Sequence, residues 1–218
     1  WEDDGALLDT EIFELDPTTM ETTRRTYTPH IERKLVYFPL GHPEMAFTSL
    51  REAIPDQARG HSFRFPLGLG TEYHQHFGIT PEEDLIWDTR QLPDGRNVAI
   101  LTELEGIWGA GTLGIIDRNF GPEINSLSES QVPGVTSYLD PLRRLSSPEE
   151  GLFSDPAPLP DGRILATFFP RLTVGDDADV DAYLVVIELE EAPDSSVGPY
   201  LLSVEPLLGE EGVDLFDP

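Results

Sequence analysis

The chain has 218 residues, 39% of them hydrophobic, enough for a buried core, and its 14 Lys and Arg against 41 Asp and Glu leave a net charge of −27. That charge repels nucleic-acid phosphates and anionic lipid and favours cations, basic peptides and proteins. The absence of cysteine rules out disulfides, thiolate catalysis, Cys-ligated zinc and covalently attached c-type haem within the chain, and no apolar run suggests insertion into a membrane.

Nineteen glycines and 20 prolines ask for many turns and leave little room for long helices. The chain opens at Trp1 with neither Met nor a signal-peptide pattern. That suggests an excerpt or a processed product, with other domains of a longer parent chain as partners. The first predicted strand is TEIFELD, Thr10–Asp16; it reads as the third strand of a sheet whose first strands come from the C-terminus, around GVDLFDP. Next, FPLGHPEMAFTSL, Phe38–Leu50, reads as a degenerate copy of a turn and strand seen twice later, in a unit covering about 36–66. Its Gly41 matches Gly95, and its Ala46 matches Ala99 after a one-residue insertion. Two short helices are expected, in TSLREAIPD near Ser49 and in DPLRRLSS near Leu142.

The stretch TEYHQHFG places His74 and His76 two apart, the spacing that puts two strand residues on one face, with Glu72 on that face too. Two imidazoles and a carboxylate suit zinc or iron; an ordinary polar stretch is the competing reading.

The strongest signal is internal repetition. DTRQLPDGRNVAIL, Asp88–Leu101, aligns with DPAPLPDGRILATF, Asp155–Phe168, at a constant offset of 67 with seven of fourteen positions identical. In each, Pro (Pro93, Pro160) presets φ at the first turn position. Asp (Asp94, Asp161) bonds back to the backbone, and Gly (Gly95, Gly162) takes the left-handed position that closes a hairpin. These six residues have structural roles, and Arg96 and Arg163 are expected to pair with acids between sheets. A further strand follows each copy, GTLGIID (Gly111–Asp117) and AYLVVIE (Ala182–Glu188), at an offset of 71, so the second copy has about four extra loop residues. Trp87 and Trp108 flank the first copy and are expected in packing. Before the last strand, GDDADVD spaces Asp177, Asp179 and Asp181 as in a calcium loop. Position 6 is Ala182 rather than Gly, and the following strand would carry Glu188 roughly 23 Å away. That argues against a closed EF-hand and leaves a looser calcium site on the three aspartates or a solvated loop.

Strand, turn, strand, loop, strand, repeated, is the pattern of antiparallel blades. The motif LPDGR followed by LGIID or LVVIE resembles the TolB-type propeller repeat, a WD-repeat-like blade with a Pro-Asp-Gly turn. In its fuller form it is similar to the propeller domain of the hydrazine synthase alpha subunit and its relatives. The resemblance covers about 88–124 and 155–190. It implies an all-β fold, with residues 1–218 forming one β-propeller or a propeller segment in a periplasmic or secreted protein that serves as a binding platform. It carries over no catalytic residue, and the haems of that family find no Cys-x-x-Cys-His here.

The function expected is a non-enzymatic binding or scaffold module taking a protein, peptide or small ligand on its loop face, where TEYHQH and GDDADVD are the first candidates. The alternative is a metal-dependent enzyme, or a redox-enzyme subunit, with a divalent metal (zinc or iron) near His74 and His76. No nucleotide-binding loop or serine-nucleophile motif is present.

Overall fold

The computed structural model describes residues 10–27, 31–40, 44–52, 58–66, 74–77, 85–102, 109–117, 142–170, 182–191 and 199–208. These form fourteen strands, all paired antiparallel, and one short 3-10 turn at Pro148–Glu150. After a two-stranded hairpin, β1 (Phe13–Leu15) and β2 (Thr22–Arg24), come three four-stranded sheets. The first is β3 (Ile31–Phe38), β4 (Glu44–Glu52), β5 (Ala58–Pro66) and β6 (His74–Phe77). The second is β7 (Leu85–Gln91), β8 (Asn97–Thr102), β9 (Thr112–Ile116) and β10 (Leu142–Arg144). The third is β11 (Leu152–Pro158), β12 (Ile164–Phe169), β13 (Tyr183–Glu191) and β14 (Pro199–Leu208). In each sheet strand order in space follows order in sequence, so each is a meander built from neighbouring segments.

The repeat is visible in the register. Ala99 pairs with Gly114 and Ala166 with Val185, at the offsets of 67 and 71 expected from sequence. The first sheet keeps the same plan with a shorter offset. Val36 pairs with Ala46 as Thr89 pairs with Ala99, 53 residues on. Five residues separate the paired Phe38 and Glu44, as five separate Gln91 and Asn97, so no insertion is needed. Gly41, which lies outside the described residues, is then third in its loop where Gly95 is fourth.

Burial explains why the strands sit as they do. Val98 and Ile100 point to one face of the second sheet, Ala99 and Leu101 to the other, and every residue of β8 and β9 is buried. One face, with Trp87, Leu92, Leu113 and Ile115, packs on Phe153, Ile164, Ala166, Val185 and Ile187 of the third sheet. Opposite, β7 lies against β3, β4 and β5 of the first. Thr48 is buried at that contact, and its hydroxyl proton is shared between the carbonyls of Ile86 (3.0 Å) and Trp87 (2.8 Å). Trp87 is the extra residue of a bulge, where the β7–β8 ladder skips from Ile86 to Asp88. Thr48→Val keeps the shape and leaves both carbonyls without that donor; a loss of about 1–2 kcal/mol is expected in urea denaturation. An unchanged midpoint would show that these carbonyls find other partners.

Three expectations change. Residues 48–52 and 142–144 are strand, not helix. Ladder pairing with β5 and β9, and burial of Leu142 on Ile86, Ala99, Leu101 and Ile116, outweigh a weak local helical pattern. Within TEIFELD only Phe13–Leu15 is strand, and it pairs with Thr22–Arg24; the C-terminal segment proposed as its neighbour lies outside the described residues.

Candidate functional site

The first strands of the three sheets meet: β7 lies against both β3 and β11. All three are bulged within a residue of corresponding positions, between Arg33 and Val36, between Ile86 and Asp88, and between Ser154 and Ala157. A bulge re-aims the side chains beside it. Here Lys34 (φ 53°) and Asp155 (φ 47°) adopt the left-handed conformation that L-residues usually avoid. The result is a charged junction. Lys34 Nζ stands 2.8 Å from Asp155 Oδ1 and 3.5 Å from Asp88 Oδ2, so one cation from the first sheet ties the second and third. Arg90 joins from β7, its Nη2 donating to Asp88 Oδ2 at 3.2 Å and its Nε 3.1 Å from Asp88 Oδ1.

The two carboxylates differ in environment. Asp88 is fully buried, and burial pushes its pKa up against the opposing charges of Arg90 and Lys34. Asp155 is half exposed. Partial burial pushes its pKa up, but the Lys34 hydrogen bond and charge outweigh this and hold it below the ordinary aspartate value. Backbone strain in two non-glycine residues beside a buried charge marks a place where the fold invests in geometry.

The second feature is the pair of hairpins. In each, the Leu N–H donates to the Arg carbonyl (Leu92 to Arg96, 2.7 Å; Leu159 to Arg163, 2.8 Å) and the Gly N–H to the Leu carbonyl (3.0 Å in both). Gly95 (φ 92°) and Gly162 (φ 91°) complete the loop. Asp94 Oδ1 accepts from Arg96 N–H at 2.9 Å, and Asp161 Oδ1 from Arg163 N–H at 3.1 Å. Each arginine also donates through Nε to the same aspartate, at 2.7 and 2.9 Å. Both arginines thus pair within their own turns, the nearest carboxylate being two residues away. The Arg163 hydrogen bond and backbone contact hold the Asp161 pKa below the ordinary value. Between the hairpins lies a cleft of about 310 Å³, with Leu92 and Leu189 in its lining beside both turns and Glu188.

The remaining expected site residues fall as follows. His74 and His76 lie two positions apart on β6. Glu72, Asp177, Asp179, Asp181 and Trp108 lie outside the described residues. Trp87 is buried between the second and third sheets, as expected of a packing residue. Among the described residues no group of three or more His, Asp or Glu is placed to hold a metal ion, and no helix is long and apolar enough to cross a membrane. Lys34, Asp88, Arg90 and Asp155 were not singled out from sequence as a site. Their one signal was the identity of Asp88 and Asp155 at a position the turn chemistry does not require.

The chain therefore belongs among all-β proteins built of successive antiparallel four-stranded sheets. No family model and no curated protein matches its sequence. Among solved structures it is similar to Kuenenia stuttgartiensis hydrazine synthase, a protein that contains a β-propeller, with a TM-score of 0.52 and 15% identity. The match covers 92% of this chain and 22% of that one, so the chain spans about a fifth of its neighbour's length.

Proposed function

We propose that the chain forms a TolB-like, WD-repeat-like β-propeller, or a segment of one, that acts as a non-enzymatic binding or scaffold module for a protein or peptide in the periplasm or outside the cell. The observation that carries this reading is the side-by-side presentation of hairpin ends. Leu40 N–H of the first sheet's hairpin donates to Gln91 Oε1 at the end of β7, 2.9 Å away, and the second and third hairpins share a cleft. A rigid stack with its turns gathered on one side is a scaffold for recognition. Three meanders with adjoining first strands are blade-like, and propellers close with about four to eight blades. The closing sheets would then come from residues outside these three. The likeness in fold to hydrazine synthase supports the architecture and leaves that protein's chemistry to that protein.

A photo-reactive residue placed at Asp161, on the hairpin side, is expected to give one saturable adduct with a native partner, competed by unlabelled protein. The same group at the exposed Glu21 is expected to give none. Equal labelling from both positions, or none from either, would remove the reading. The alternative, a metal-dependent enzyme, rests on the spacing of His74 and His76. It predicts stoichiometric zinc, iron or copper that is lost in a His74→Ala/His76→Ala double variant.

A further inference from the structure

The three hairpin ends make two junctions, and they are built differently. At the first, the Leu40 amide and the Gln91 side chain close the gap with a hydrogen bond of 2.9 Å. Strand register aligns Leu40 with Pro93, by the offset of 53, and Gln91 with Pro158, by the offset of 67. At the second junction both partners of that bond are therefore prolines: Pro93 has no N–H to give and Pro158 no side-chain acceptor. The first junction is latched, and the second opens into the cleft of about 310 Å³.

The lining of the cleft is amphipathic. Leu189 and the exposed Pro93 and Pro160 supply apolar surface, and the charge around them is unbalanced. Asp94 and Asp161 are each matched by the arginine of their own turn. Glu188, exposed on β13, lines the same cleft and shares the Arg163 guanidinium with Asp161. The Arg163 guanidinium is stabilised first by Asp161 and then also by Glu188 and Glu205, so two further carboxylates act on this corner. Three carboxylates in the lining against two arginines, with Glu205 acting on Arg163 from beside it, leave local charge of the same sign as the chain's −27. Beyond Gly95 and Gly162 there is open space where a side chain would stand, so a ligand backbone can approach both turn tips closely.

We propose that the cleft between the two Pro-Asp-Gly hairpins receives a Lys- or Arg-bearing segment of a partner protein, the aliphatic stem lying on Leu189 and the turn prolines Pro93 and Pro160 and the cationic head reaching Glu188. This rests on the binding-module reading and specifies the chemistry of its partner. A long basic side chain fits because it combines an apolar stem with a charged tip. The unlatched junction gives it room, and the acidic surface steers it there.

The test uses the full chain titrated into a fluorescein-labelled peptide of alternating lysine and glycine, read by anisotropy. Glu188→Gln is expected to weaken binding about threefold and Glu188→Lys roughly tenfold. Glu21→Lys, the same charge change at an exposed site on the N-terminal hairpin, should change it by no more than about twofold. Circular dichroism on each variant separates loss of binding from loss of fold. Equal weakening by Glu188→Lys and Glu21→Lys would mean diffuse attraction to an acidic surface and overturn the proposal, as would no binding by the unaltered chain at low ionic strength. If the adduct at position 161 persists in either case, the cleft assignment alone falls; if that adduct is also missing, the binding-module reading falls with it.

Discussion

Gly111→Ala is expected to destabilise the protein by about 3 kcal/mol or more, although it adds one methyl group. A Cβ at this position would stand within van der Waals overlap of the Leu101 carbonyl oxygen and 3.0 Å from the Thr102 Cα. Both are backbone atoms of β8, so neither can turn aside as a flexible side chain would. Gly111 also joins two sheets: its N–H donates to the Phe153 carbonyl at 2.9 Å, and the Phe153 N–H donates back at 2.7 Å. Making room therefore means separating β9 from β8 or breaking the bridge to β11. The control is the same substitution at Gly95 or Gly162, where a Cβ meets nothing within 4 Å. There the left-handed backbone alone opposes it, at about 1–2 kcal/mol. Urea denaturation of the three variants should rank Gly111 well above the other two. A Gly111 variant as stable as the hairpin variants would show that β8 and the bridge yield easily.

The second large effect is expected at Lys34. Replacing it by Met keeps much of the stem and removes the cation between a fully buried Asp88 and a half-exposed Asp155. Stripping one partner from a fully buried pair costs about 3–5 kcal/mol. Lys34 is itself 27% exposed and Asp88 retains Arg90, so about 2 kcal/mol at neutral pH is the expectation. The effect has a pH signature. In the native protein the raised pKa of Asp88 means that the folded state binds this proton more tightly than the unfolded state, so its contribution to stability falls as pH rises through that window. Asp155, lowered, contributes stability above its unfolded pKa and loses it as pH falls through the folded value. Lys34 lowers both, so without it both folded-state pKa values rise. The variant's deficit should then be largest near neutrality and shrink toward and below about pH 4 as both carboxyls take up protons. Denaturation curves for both proteins that stay parallel across this range would show that Lys34 acts through packing rather than charge.

The charged junction and the cleft separate what is local from what is not. Pro93, Asp94 and Gly95, and their twins at Pro160, Asp161 and Gly162, could be placed in turns from sequence because the information lies within five consecutive residues. The first three strands of each later sheet were legible for the same reason, since each pairs with its neighbour in the chain, whereas β10 was read as helix and β14 not at all. The short helical pattern near Ser49 misled, because burial of Thr48 against β7 is not written in the residues beside it. The pairing of each turn arginine with the aspartate two residues before it was not read from the sequence, which looked only to acids between sheets.

From its own residues, then, the chain determined the hairpin-linked strands of its two later sheets, its repeated turns, the absence of cysteine chemistry and an acidic composition. All of these follow from local backbone preferences and from composition. Only the tertiary structure decided that Lys34, Asp88 and Asp155, spread over 121 residues, share one junction, and that one hairpin pair is latched while the next is open. Strand bulges re-aim side chains by amounts no periodicity predicts, and contacts between sheets depend on how successive meanders stack. Both are set by burial of the second sheet between its neighbours, a constraint that exists only once all three sheets are in place.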